Sequence, residues 1–216
     1  MKGGADVQIV AMLTMLIDHI GLVFFPQDSL WRIIGRLAFP LYTYALVLGF
    51  HHTSNMKRYI LRLTVIAVLS QIPYQWALHS DDINVVGTLL VSLLALVAMQ
   101  RWSHPVVIVA IVAAAAYILE AFSFNYGYYG LALVLIYRYS RGQMQVLLHL
   151  LLNISTLLSK HWETQLYSIF ATALLVYWPI VFRTIDRIPL PRWVWRSFYP
   201  GHLVLLGLAQ LLFPIG

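Results

Sequence analysis

Long apolar runs separated by short polar gaps make up almost the whole chain. Each run approaches the roughly 20 residues that a helix needs to cross a bilayer. Inside lipid every backbone N–H and C=O must be paired within the protein, which leaves helices or a closed barrel. The runs are continuously apolar and rich in Leu and Ala. They do not alternate, and this favours helices over a barrel. Windowed hydropathy places about nine spans, at residues 7–25, 30–50, 58–78, 83–100, 105–122, 127–139, 143–158, 166–182 and 198–213. The sixth and seventh are short and read as tilted partners in a tight hairpin, so eight or ten crossings also fit. The predicted fold is an all-α, polytopic helical bundle forming a single domain over residues 1–216, because no gap is long enough for a separate folded unit.

The gaps test this map. Alternate gaps carry Lys2; Lys57 and Arg58; Arg101; Arg138 and Arg141; and Arg183, Arg187, Arg192 and Arg196. The gaps between them carry Asp28; Asp81 and Asp82; Glu120; and Lys160 with Glu163. Basic residues in short loops stay cytoplasmic, so the N-terminus is expected inside and the protein is expected in the cell (inner) membrane as a multi-pass chain. The first run has almost no basic leader and no small-residue cleavage pattern, and reads as a retained span. Residues 183–197, with two Trp, four Arg and two Pro, read as a segment lying in the headgroup region.

Composition agrees. Hydrophobic residues are 61% of the 216 and charged residues 10%, against roughly 25% charged in soluble domains. The net charge of +6 is accounted for by topology, so it does not point to nucleic acid. With no cysteine, disulfides, thiolate metal sites and a thiol nucleophile are excluded together. No clustered ligand set suggests a metal.

Ionisable groups inside spans cost roughly 3 kcal/mol or more on insertion scales and mark functional sites by default. Asp18 and His19 lie in the first span. Counted at 1.5 Å per residue from the outer end, His19 sits about 9 Å deep, and so does Arg36 of the second span. A short loop joins these helices, so they should be neighbours. Arg32 is one turn from Arg36, and Asp18 is expected to pair with either arginine. Adjacent residues diverge by about 100° on a helix, so Asp18 and His19 should face different partners. At the cytoplasmic end, His52 and Asn55 precede Arg58 and Arg62, a candidate anion cradle. Gln71 and Tyr74 make a polar end to the third span. Gln145, His149, Asn153 and Thr156 recur at helical spacing and should face the bundle interior or a wet cavity. His202 is placed about one turn inside the cytoplasmic end.

These residues resemble a known family. Met15-Leu16-Ile17-Asp18-His19-Ile20-Gly21 and Arg32-Ile33-Ile34-Gly35-Arg36-Leu37-Ala38-Phe39-Pro40 look like the opening motifs of the TraX family, membrane proteins of F-pilin acetylation. The match continues in order through Gly49-Phe50-His51-His52-Thr53-Ser54-Asn55, Ser70-Gln71-Ile72-Pro73-Tyr74, Tyr126-Gly127-Tyr128-Tyr129-Gly130 and Phe198-Tyr199-Pro200-Gly201-His202-Leu203. The resemblance implies an integral membrane acetyltransferase that uses acetyl-CoA. It extends more distantly to membrane acyltransferases that acetylate sugars, in which an intramembrane histidine is the implied catalytic residue. That position is His19 here, supported by Asp18 and Arg36. Asn125 stands where the resemblance would place an acidic residue.

The expected function is transfer of an acetyl group from cytoplasmic acetyl-CoA to an amine or hydroxyl of an acceptor in or across the membrane, a peptide N-terminus or a glycan. The polyanionic donor would rest near Arg58, Arg62, His52, Asn55, Arg138 and Arg141. His19 would act as general base or as an acyl carrier. Arg32, Gln71, Tyr74, His149, Asn153 and His202 would support it. Two other readings remain open: a proton-coupled transporter or flippase using the Asp18, His19 and Arg36 layer, and a non-catalytic assembly factor.

Overall fold

A computed structural model describes residues 5–179 and 191–213. The described residues are helical throughout, joined by tight turns. The helices are α1 (Ala5–Phe24), α2 (Ser29–Gly35), α3 (Ala38–His52), α4 (Met56–Leu78), α5 (Val85–Arg101), α6 (Pro105–Ala121), α7 (Gly127–Tyr139), α8 (Gln143–Lys160), α9 (Ile169–Tyr177) and α10 (Arg192–Leu212), with a 3₁₀ turn at Glu163–Ser168 before α9.

Three expectations change. The second span is not one helix. Pro40 has no N–H to donate to the Arg36 carbonyl, so it sits in the first turn of a new helix, where that loss is tolerated. Arg36 closes α2 through its N–H to Arg32 O at 3.0 Å, and Leu37 N–H follows to Ile34 O at 3.2 Å. The eighth span opens with the 3₁₀ turn, and its expected end lies outside the described residues, as does most of the expected headgroup segment. The ninth span begins at Arg192 rather than Phe198 and runs through Pro200. That places His202 nearly three turns into the helix, deeper than its sequence position suggested.

Helices α1, α5, α7 and α9 pack on α3, and α10 packs on α4 and α1. On α3, Ala38, Phe39, Leu41, Leu46, Val47 and Phe50 are buried and cover roughly two thirds of its circumference at about 100° per residue, as expected of a helix that is packed on most sides. The turns gather at two ends. One end holds residues 53–55, 102–104 and 140–142 and is basic. The other holds residues 25–28, 79–84, 122–126 and 161–162. There Ile83 N–H donates to Ser123 O at 3.0 Å and Asn125 N–H to Ile83 O at 2.8 Å, tying two turns together. Gln71 belongs to this clamp: its amide donates to Asp82 O at 2.9 Å and accepts from Asn84 at 2.8 Å.

The outer helices carry their polarity reversed. On α8, Gln145, His149, Asn153 and Thr156 are buried, while Leu147, Leu150, Leu151, Ile154 and Leu158 are exposed. On α4, Leu61, Val65, Val68, Leu69 and Ile72 face outward. Two stretches, Val7–Phe24 and Ser29–His52, are long and apolar enough to cross a membrane, and α5 and α6 are shorter apolar helices.

Candidate functional site

A cavity of about 1070 Å³ runs between α1, α3, α4 and α10, and its wall includes residues from the turns at both ends. This lies just above the roughly 300–1,000 Å³ typical of small-molecule sites. At the basic end it is lined by Gly49, His52, Thr53, Tyr59 and Arg62, and at the other by Ser80, Asp82, Asn125, Lys160, Trp162 and Glu163. Between them lie Asp18, His19, Arg32 and Arg36.

The charged layer forms as expected. Arg32 Nη1 lies 2.8 Å from Asp18 Oδ1, and Arg36 Nη2 lies 3.4 Å from the same oxygen. Such close approach of α1 to α2 requires Gly35, since an added Cβ would overlap the Asp18 carboxylate. Asp18 is held by two arginines and cannot step aside. Gly35→Ala is therefore expected to cost about 1–3 kcal/mol through overpacking, read as a fall in thermal midpoint. Gly201→Ala is the control, because nothing lies within 4 Å of its added Cβ.

Arg36 also reaches Gln165 Oε1 at 3.3 Å, and Gln165 Nε2 donates to Tyr129 Oη at 2.9 Å. Behind Tyr129 a sealed network begins. Its hydroxyl meets His149 Nε2 at 2.9 Å and Asn153 Oδ1 at 3.0 Å, and His149 Nδ1 meets Thr172 Oγ1 at 2.5 Å. His149 and Asn153 face the bundle interior and are not part of the cavity wall. Their bonds stiffen the scaffold carrying Tyr129 and, through Gln165, hold Arg36. The Arg36 Nε–H has no partner among the described residues although it is buried, and a buried donor left unpaired calls for an explanation.

His19 faces away from Asp18. Its Nδ1 lies 2.8 Å from His202 Nε2, and the His202 Nδ1–H donates to Phe198 O at 2.7 Å. This pairing joins residues 183 positions apart. His202 therefore sits at the level of His19, as the earlier start of α10 requires.

The other expected residues divide by place. Arg62 and His52 line the basic end. Arg62 lies over the Tyr59 ring at 5.5 Å, and His52 Nδ1–H donates to Leu48 O at 2.9 Å. Asn55 caps α4, accepting from Arg58 N–H at 2.9 Å. Arg58 and Arg141 are exposed on the same end outside the cavity. Arg138 lies over Phe50 and Tyr139 at 5.7 and 5.1 Å. Tyr74 lines the wall and accepts from Asn125 Nδ2 at 2.8 Å, so Asn125 contributes an amide to this wall.

Tyr126, Gln165 and Trp162 were not singled out from the sequence as site residues. Tyr126 adopts φ +68°, sparsely populated by aromatic residues. It stacks on Phe39 with ring centroids 3.9 Å apart and lies under Arg36 at 6.0 Å. The glycine-flanked aromatic cluster at residues 126–130 carried a signal for it. Nothing local to Gln165 did.

A family model described as TraX protein matches residues 3–210, a stretch that contains every residue of this layer. The chain belongs to the TraX family. TraX proteins are membrane proteins, in keeping with the two membrane-length stretches. The chain is also similar to a probable fimbrial assembly protein FimC, serogroup H1, of Dichelobacter nodosus, with 28% identity over 237 residues and 95% of each chain covered. No solved structure matches. The TraX membership thus rests on the whole bundle, and the layer of Asp18, His19, Arg32 and Arg36 is where this TraX chain concentrates its buried charge.

Proposed function

We propose that this protein is a multi-pass inner-membrane acetyltransferase that takes acetyl groups from cytoplasmic acetyl-CoA and passes them to an amine or hydroxyl acceptor. The observation that carries this reading is the cavity with Arg62 and His52 at one end, Asp82, Glu163, Lys160 and Trp162 at the other, and the His19 imidazole between them. The reversed polarity of α4 and α8 supports a lipid-facing surface all round, because soluble helices turn their apolar stripe inward. By the distribution of Lys and Arg, the basic end faces the cytoplasm.

The residues present fit the donor. Arg62 in the wall and Arg58 one turn beyond it on α4 offer guanidinium groups to phosphates. Met12, Met15, Tyr42, Leu46 and Leu63 give the middle of the cavity an apolar lining suited to a pantetheine arm. Acetyl-CoA, when bound, supplies the acyl group. His19 would take the proton from the acceptor's amine or hydroxyl as that group bonds the acyl carbon, and would return it to the thiolate released when the thioester C–S bond breaks. Arg36, kept in place by Asp18 and Gln165, lines the cavity and would supply positive charge to a developing oxyanion. The likeness to a fimbrial assembly protein supports an acceptor that belongs to a surface fibre, a peptide N-terminus or a glycan on it.

The test is ligand stabilisation. At 100 times its Kd, acetyl-CoA is expected to stabilise the detergent-purified protein by about 2.7 kcal/mol, whereas adenosine gives no shift and Arg62→Ala diminishes the acetyl-CoA effect. A folded protein that shows no shift at millimolar acetyl-CoA would sink the reading. It would favour instead a transporter, which the extension of the cavity to both ends would also serve.

A further inference from the structure

We infer that His202 is a positioning residue: it fixes His19 in the tautomer that carries its proton on Nδ1 and presents a bare Nε2 lone pair to the cavity. The inference rests on the proposed role of His19 as the base.

A backbone carbonyl can only accept a hydrogen bond. His202 Nδ1 lies 2.7 Å from Phe198 O, so His202 Nδ1 bears the proton. In a neutral imidazole the other nitrogen is then an acceptor. That nitrogen, His202 Nε2, lies 2.8 Å from His19 Nδ1, so the bridging proton belongs to His19 Nδ1. The same rule leaves His19 Nε2 unprotonated. An imidazolium is opposed here, since the layer already holds two guanidinium groups against one carboxylate, Asp18, and burial disfavours an added charge.

Ring geometry agrees. The two ring planes are 9° apart with centroids 5.1 Å apart. This separation exceeds the N···N distance by about the width of a ring, so the facing nitrogens lie between two nearly coplanar rings. A lone pair in the ring plane is thereby aimed along the bond, as a strong hydrogen bond needs. Phe198 lies flat against His202, with centroids 4.7 Å apart and planes 12° apart, and holds the ring in that plane. His19 Nε2 has no hydrogen-bond partner among the described residues, and His19 lines the cavity. The pair therefore does for one imidazole what a buried carboxylate does in a serine-hydrolase triad, namely fix tautomer and orientation, with a neutral ring in place of the anion. Asp18, next in sequence, is committed to the arginines and is not the group that orients His19.

The experiment is nitrogen-15 NMR of the full-length protein labelled at histidine, in detergent, with His19 signals assigned by their loss in His19→Gln. The expected spectrum shows His19 with a protonated Nδ1 and an unprotonated Nε2. In His202→Gln the side-chain carbonyl can still accept from His19 Nδ1–H, so both the tautomer and acetyl transfer are expected to persist. In His202→Leu the signature should be lost and turnover should fall by roughly 10²-fold or more, as when a triad is left with the wrong tautomer, with acetyl-CoA stabilisation unchanged. A native spectrum with His19 protonated at Nε2 overturns the inference whatever the variants do. Absence of acetyl-CoA binding would instead sink the acetyltransferase reading and leave the spectrum as expected, so the two failures are distinguishable.

Discussion

Replacing Asp18 by alanine is expected to lower the stability of the folded bundle by about 3–5 kcal/mol, the loss seen when one partner of a buried ion pair is removed. The reason lies in the count of charges. Asp18 is the carboxylate that meets both Arg32 and Arg36, and the side chains of Asp18 and Arg36 are only 11% and 12% exposed. Without it two guanidinium groups share a buried layer with nothing opposite them. Arg32 is 27% exposed and can turn toward the end of the bundle, whereas Arg36 is fastened to Gln165 and cannot. Asp18→Asn should be nearly as damaging, because it preserves shape and loses charge. Combining Asp18→Asn with Arg36→Gln should recover much of the loss, since both partners then become neutral and can bond each other. Denaturation midpoints of the purified protein measure all three. A single Asp18→Ala variant within 1 kcal/mol of the native protein would mean that the pair is solvated and that the layer is not a stable feature.

A second large effect is expected on turnover. His19→Ala should reduce acetyl transfer by about 10²–10⁴-fold, the usual contribution of a positioned general base, while acetyl-CoA continues to raise the thermal midpoint. The separation of these two readouts follows from the place of His19. It lies on the cavity wall beyond the basic mouth formed by Arg62 and His52, the end proposed to take the donor's phosphates. His19 also bonds only to His202 among the described residues, so its removal leaves the Asp18 layer intact. Single-turnover measurements with a small amine or hydroxyl acceptor would report the chemical step directly. Transfer that is unchanged in His19→Ala would remove this residue from the chemistry and leave its pairing with His202 as packing.

Much of the arrangement was legible in local sequence. The helices α6 and α7 begin where Pro105 and Gly127 stand, because proline is tolerated only in a first turn and the left-handed backbone at Gly127, φ +50°, favours glycine. The pairing of Asp18 with Arg32 and Arg36 followed from counting residues along two helices joined by a short turn. Such neighbours are fixed by connectivity, so depth alone decided which groups meet. The divergence of Asp18 and His19 likewise follows from helical geometry. The stripe on α8 was identifiable as an inward face because period shows which residues share a side.

Other features depended on which helices meet across the bundle. Period tells that His149 and Asn153 face inward, but whether they meet a cavity or a seal depends on Tyr129, Ser168 and Thr172 from other elements. His202 could be put at the level of His19 only once α10 was seen to start at Arg192, and only the packing of α1 against α10 joined them. Gln165 reaches Arg36 over 129 positions from a 3₁₀ turn with no apolar period to mark it. The break before α3 turns on one missing N–H at Pro40, which hydropathy does not register. Sequence alone therefore determined the helical class, the direction of charge along the bundle and the groups too costly to bury without purpose. Tertiary structure alone decided which distant helices supply their partners, because side-chain period encodes the face a helix buries and not the neighbour it is buried against.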